Sequence, residues 1–168
     1  KVWNIKTGRA DEPNVLYAGA QPASFFVSKD RGETWELNEP LYDHPQRGHW
    51  NPGNGGLCLH TILLDPTDLN RMYIAVSAAG CYRTDDGGKN WTKCEYGMGR
   101  AYAIPMTNHP SVPDRIFLGA AENGPASWPG YRTVRAGPYN TVKFSRNASA
   151  QTGGAKTQIL RSDDAGKT

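Results

Sequence analysis

Ser28-Lys29-Asp30-Arg31-Gly32-Glu33-Thr34-Trp35 returns as Thr84-Asp85-Asp86-Gly87-Gly88-Lys89-Asn90-Trp91, and a third time as Ser162-Asp163-Asp164-Ala165-Gly166-Lys167-Thr168. The shared pattern is a hydroxyl residue, any residue, Asp, any residue, Gly, any residue, Thr or Asn, then Trp. Each position has a physical role. The Asp accepts backbone N–H groups within a turn, the Gly permits positive φ, and the Trp supplies a large anchor for burial just beyond it. Upstream of each octet lies a Pro/Asp turn that feeds an apolar strand. The three are Asp11-Glu12-Pro13-Asn14-Val15-Leu16-Tyr17, Asp65-Pro66-Thr67-Asp68-Leu69-Asn70-Arg71-Met72-Tyr73, and His109-Pro110-Ser111-Val112-Pro113-Asp114-Arg115-Ile116-Phe117. Tyr17 to Asp30 is 13 residues, as is Tyr73 to Asp86, whereas Phe117 to Asp164 is 47. The third unit therefore carries the same landmarks around an insertion, and two matched elements in three copies define a structural repeat.

Composition agrees with a turn-rich globular class. The 168 residues include 19 Gly and 12 Pro, with 38% apolar and 21% charged residues, which excludes a disordered polar tract and a collagen-like chain. No apolar run approaches the ~18 residues of a membrane helix, and KVWNIKTGRA is not a signal peptide. A net charge of +3 does not point to nucleic acid. Five of the basic residues, Arg132, Arg135, Lys143, Arg146 and Lys156, fall within 122–156 against Glu122 alone. Cys58, Cys81 and Cys94 are an odd number without metal-ligand spacing, so buried thiols are expected and no metal or cofactor, although Cys81 and Cys94 can face each other across a hairpin.

The octets resemble the Asp-box, or BNR, repeat of sialidase-like and glycosyl-hydrolase-like β-propellers. The resemblance rests on Ser28, Asp30, Gly32 and Trp35; on Thr84, Asp86, Gly88 and Trp91, with Asn90 in the Thr position; and on Ser162, Asp164 and Gly166. It implies an all-β protein of four-stranded antiparallel blades, of which about three are present as part of a larger propeller. The expected blades cover about 1–40, 55–96 and 100–168. Their strands are expected at 2–7, 14–20, 23–28 and 34–38; at 57–64, 71–77, 80–84 and 90–95; and at 101–107, 115–121 and 157–162. The third blade has its insertion at 121–156 and lacks a fourth strand. Families with this box include sialidases, xyloglucan-active glycosidases, sortilin-type receptors and photosystem II assembly factors, so the box speaks for fold more than for activity. Missing blades are expected to complete the disc, and the chain reads as truncated at both ends, which leaves its compartment open.

Alternating strand direction places the Asp-boxes and the Pro/Asp turns on one face. The other face receives the connection 39–56 (EPLYDHPQRGHWNPGNGG) and the insertion. Function is expected on this irregular face, since long connections in compact domains are commonly functional. In the first connection Asp43, His44, Arg47, His49 and Trp50 gather near the channel mouth, with His60 on the next inner strand. In the insertion Trp128, Tyr131, Arg132 and Arg135 offer flat aromatic faces and guanidinium forks suited to sugars, carboxylates or phosphates. Asp43 and Glu122 are the candidate acid or base residues. Glycoside hydrolysis needs two carboxylates, and the resemblance adds that sialidases carry an Arg-Ile-Pro segment ahead of the first box; none precedes Ser28. The expectation is a ligand- or carbohydrate-binding scaffold without a visible catalytic set, with a glycoside hydrolase on the same face as the alternative and a protein-assembly propeller as the third reading.

Overall fold

The computed structural model describes residues 1–50, 56–77, 79–94, 102–121 and 157–167. Two four-stranded meanders and one three-stranded sheet account for its strands. The first runs β1 (Val2–Thr7), β2 (Leu16–Ala20), β3 (Ser24–Ser28) and β4 (Glu36–Leu37), hydrogen-bonded in that order. The second runs β5 (Leu59–Leu64), β6 (Met72–Val76), β7 (Gly80–Thr84) and β8 (Thr92–Cys94). The third comprises β9 (Tyr102–His109), β10 (Val112–Ala121) and β11 (Gln158–Ser162). All pairings are antiparallel, and each sheet is a propeller blade whose first strand is innermost.

The strands fall where the sequence places them, with two differences. β10 begins at Val112, before the expected start, because Pro110 and Ser111 alone form the turn and Val112 pairs directly with His109. A register shift between Val112 and Ile116 then absorbs Pro113, which has no N–H to give to the ladder. Pro105 is tolerated for the same reason, since β9 is an edge strand. The second difference lies in the connection after β4, where Glu39–Tyr42 forms a short α-helix (α1) and Arg47–His49 a 3-10 turn. Asn38 caps α1 by accepting from Leu41 N–H, and Pro40 occupies the first turn, where its missing donor costs nothing.

The Asp-box turns repeat bond for bond. Gly32, Gly88 and Gly166 each donate N–H to the hydroxyl of Ser28, Thr84 and Ser162, at 2.8, 2.9 and 2.8 Å. Those hydroxyls donate to Asp30, Asp86 and Asp164 at 2.8, 2.8 and 2.7 Å. Asn90 substitutes for Thr34 without loss, because its amide donates to Asp86 at 2.7 Å where the Thr34 hydroxyl donates to Asp30 at 2.5 Å. The residue ahead of each box Gly is also left-handed, at φ 64° for Arg31, 71° for Gly87 and 60° for Ala165. Its N–H donates to the carbonyl of Asn14, Asn70 or Asp114, the equivalent residue of the same blade's Pro/Asp turn. Both turn types therefore share one face.

Blades pack through apolar faces. Tyr17, Phe25, Ile62, Ile74 and Trp91 belong to the cluster between the first and second, and Ala75, Cys81, Ala103 and Leu118 to that between the second and third. A Cβ on Gly19 would lie 2.6 Å from the Leu59 carbonyl oxygen, so this close approach of β2 to β5 requires glycine. Polar links join the same neighbours on the box face. Arg9 donates to the carbonyls of Asp65, Asp68 and Arg71 at 2.8, 3.2 and 3.0 Å. Arg71 pairs with Asp65 and Asp85 of its own blade and with Asp114 of the next, at 3.3, 3.0 and 3.2 Å.

The box Trp departs from expectation in one blade. Trp91 is buried, edge-on to Phe25, and donates to Asn38 Oδ1 at 2.9 Å. Trp35, expected as a buried anchor, is 39% exposed and donates only to its own turn at Gly32 O, because no described residue stands on that side of the first blade.

Hydrogen bonds from the Thr34 hydroxyl and N–H, and from Ser28, hold the Asp30 carboxyl well below the ordinary range, at about 2. The Asn90 amide does the same for Asp86, also at about 2. Folded values below the unfolded ones mean that both groups favour the fold at pH above about 4 and that this contribution is lost as pH falls toward 2. Carboxyl-carbon NMR titration is expected to give midpoints near 2 for both, and the urea midpoint should drop across that window, less steeply in Asp86→Asn.

Candidate functional site

The connection 38–50 folds into a compact aromatic cluster. Trp50, placed at the rim of a ligand site by sequence reasoning, is 2% exposed and donates its indole N–H to the Tyr82 hydroxyl at 2.5 Å. That hydroxyl donates to Gln46 Oε1 at 3.3 Å. His44 stacks on Trp50 with centroids 5.9 Å apart, meets the Tyr82 ring edge-on, and contacts the Trp91 carbonyl through Nε2 at 3.0 Å. Arg47 lies over the Tyr42 ring at 4.3 Å and donates to the carbonyls of Pro22 and Ala23, which fixes the connection to the β2–β3 turn. The sequence lacks a local signal for this cluster, because its partners Tyr82 and Trp91 lie more than thirty residues away on the next blade.

The remaining expected residues are dispersed. Asp43 is exposed at the C-cap of α1, where its N–H donates to Glu39 O, and His49 is exposed at the end of the 3-10 turn. Glu122, Trp128, Tyr131, Arg132 and Arg135 lie outside the described residues. His60 stands apart from the aromatic cluster, near the start of β5, and there the structure adds a residue that sequence reasoning missed. Trp3 on β1 meets the His60 ring edge-on at 5.0 Å and remains 44% exposed. Asn4 donates to the His60 carbonyl at 2.8 Å, and Thr61 donates to the Ile104 carbonyl, so the three inner strands are tied in series. Burial holds the His60 imidazole below its ordinary pKa, hence neutral at pH 7 and able both to donate and to accept.

The Trp3–His60 pair lies at the end of the inner strands that borders the β2–β3 turn, since Lys1 O accepts from Gln21 N–H and Ser77 N–H donates to Cys58 O. This is the face opposite the Asp-boxes. It presents an exposed indole beside a neutral imidazole, a combination that offers a stacking surface and a hydrogen-bonding group, with Lys1 nearby. Carboxylates concentrate elsewhere: Asp65, Asp68, Asp85, Asp114 and Asp163 are engaged in ion pairs on the box face. Among the described residues no three His, Cys, Asp or Glu side chains gather as a metal site, and no helix is long and apolar enough to cross a membrane.

The family model of the BNR/Asp-box repeat matches residues 26–37 and 82–93, the β3–β4 and β7–β8 hairpins. The chain is 31% identical over 81 residues to a probable oligoxyloglucan-reducing end-specific xyloglucanase of Neosartorya fischeri, covering 48% of this chain and 9% of that one. It is 28% identical over 110 residues to the vacuolar protein sorting/targeting protein 10 of Chaetomium globosum, covering 64% of this chain and 6% of that one. The GH74 xyloglucanase of Xanthomonas campestris superposes with a TM-score of 0.57 at 16% identity, over 95% of this chain and 28% of its own. The chain thus spans a small part of the length of these proteins. It carries BNR/Asp-box repeats at these two hairpins and folds as about three blades of a β-propeller, the fold of the GH74 structure.

Trp50→Ala is expected to destabilise the protein by about 3–5 kcal/mol, because the indole fills the space between the first two blades. Tyr82→Phe, which leaves the Trp50 N–H without its acceptor, should cost about 1–3 kcal/mol. Urea unfolding checks both; a Trp50→Ala loss under 1 kcal/mol would make that residue a ligand contact rather than a packing group.

Proposed function

We propose that the chain is a carbohydrate-binding scaffold that engages its ligand at the inner-strand end of the face opposite the Asp-boxes. The observation that carries this reading is the Trp3–His60 pair, an exposed indole held edge-on to a neutral imidazole beside the β2–β3 turn. Ligand sites combine apolar or aromatic surface with a few placed polar groups, and an exposed indole gives a sugar ring a face to stack on. The names of two similar proteins, a probable oligoxyloglucan-specific enzyme and a xyloglucanase, support xyloglucan-type oligosaccharides as the first class to try. The aromatic and basic residues of the insertion, Trp128, Tyr131, Arg132 and Arg135, are proposed as further contacts. The same relatives favour glycoside hydrolysis as the second reading, with Asp43 and Glu122 as its candidate carboxylates. The vacuolar sorting relative motivates protein binding as the third.

Titration calorimetry of the full-length protein with a xyloglucan oligosaccharide panel is the test. Saturable binding is expected, weakened at least tenfold in Trp3→Ala while the melting temperature moves by less than about 2 °C, since a half-exposed side chain contributes little to the core. Binding unaffected by Trp3→Ala, or no binding to any oligosaccharide, would sink the reading. Turnover above that of an Asp43→Asn, Glu122→Gln double variant would replace it with the hydrolase, and co-purification of a protein partner without sugar binding would replace it with the third reading.

A further inference from the structure

We propose that Cys81 and Cys94 are a reversible dithiol–disulfide pair that staples the outer hairpin of the second blade. The two residues are direct Cα partners across β7 and β8, the last rung of that ladder. Directly opposed residues of antiparallel strands have Cα atoms about 4.5 or 5.5 Å apart according to register, and both spacings fall within the range of about 4.4–6.8 Å that a disulfide spans. Both side chains lie on the face toward the third blade, where Cys81, Ala103 and Leu118 form a cluster with Cys94 and Met106 against it. The Cys81 Sγ lies 3.7 Å from Met106 Sδ. All three cysteines of the chain are reduced in this structure.

The surroundings divide the pair into an attacking and a resolving thiol. Cys81 is buried, and its thiol is pushed well up in pKa by the neighbouring Cys94 thiol and by burial. Cys94 is only partly buried. The neighbouring Cys81 thiol and the Arg83 guanidinium, two residues from Cys81 on the same strand face, lower its pKa. Arg83 donates from its terminal nitrogens to Ala165 O and to Asp85, while its Nε is buried without a hydrogen-bond partner. A thiolate on Cys94 would thus form near the Arg83 guanidinium, whose pull is partly offset by Asp85 and by burial. Cys58 is no strand partner of another cysteine: it is buried just before β5, and burial raises its thiol to about 11.

The oxidant is a small-molecule disulfide such as oxidised glutathione. The Cys94 thiolate attacks one of its sulfurs and expels one glutathione thiolate, leaving a mixed disulfide on Cys94. Cys81 then releases its proton to solvent and attacks the Cys94 sulfur, expelling the second glutathione. Two protein thiols become one disulfide as one oxidised glutathione becomes two reduced ones. The bond closes residues 81–94, a loop that contains the whole second Asp-box, so the hairpin is fixed by its turn at one end and by the disulfide at the other.

Full-length protein equilibrated across glutathione redox ratios, then denatured, alkylated and digested with trypsin, tests this. The expected product under oxidising conditions is peptide 72–83 linked to peptide 94–100, with only Cys58 alkylated, and reversal on adding reduced glutathione. The oxidised protein should melt higher by roughly 5 °C. Cys58→Ser should retain the linkage and Cys94→Ser abolish it; if Cys94→Ser does not fold, the linked peptide of the unaltered protein decides. Alkylation of Cys81 and Cys94 at every ratio, or a bond from either to Cys58, would overturn the proposal.

Discussion

A twisted four-stranded sheet has two faces and no interior, and this constraint shapes every part of the molecule. Each blade can remove its apolar side chains from water only by lying against another, so Phe25, Ile74 and Trp91 acquire a core from the contact between blades rather than from within one. The polar links follow the same line of contact. Asn38 caps α1, accepts from Trp91 and donates to the Gly88 carbonyl at 2.8 Å, so one side chain ends the first blade and orients the second blade's Asp-box. Tyr73 and Arg83 of the second blade likewise hold the third box through the Ala165 carbonyl.

What was legible in the sequence was what is local. The octet carries within eight residues the hydroxyl, the carboxylate and the two left-handed residues that define its turn, and bonds to the Pro/Asp turn and to neighbouring blades fasten it in place. Strand positions followed because alternation and turn residues are equally short-range. The connection 38–50 shows the opposite case. Its His, Arg and Trp resemble a ligand rim when read alone, but Trp50 and His44 find Tyr82 and Trp91 on the next blade and become packing groups. Trp3 escaped notice for the complementary reason: nothing near it in the chain marks it, and its neighbour His60 lies 57 residues on. Even a repeat can mislead where its copies differ in neighbours, as Trp35 and Trp91 do at the same motif position.

The two faces of the blades thereby take separate physical characters. On the Asp-box face, charge is abundant and much of it is engaged in ion pairs: Arg71 alone meets Asp65, Asp68, Asp85 and Asp114. On the opposite face the inner strands end in an uncharged indole–imidazole pair. A neutral ligand meets less competition from ion pairing and desolvation there than on the box face, where displacing any partner would strand a charge. Under the proposed function, stability and recognition fall at different ends of the same strands.

The arginine links also give the array a direction. Arg9 reaches from the first blade to the second and Arg71 from the second to the third, each offering a donor to the acceptors of its successor. Such a head-to-tail contact is heterologous: donor and acceptor surfaces lie on opposite sides of every unit and never meet their own kind. A two-fold pairing of identical edges cannot reproduce it. A further unit joined in the same sense can, so the contacts give the row of blades a polarity although the two links differ in their acceptors, backbone carbonyls for Arg9 and the Asp114 carboxylate for Arg71.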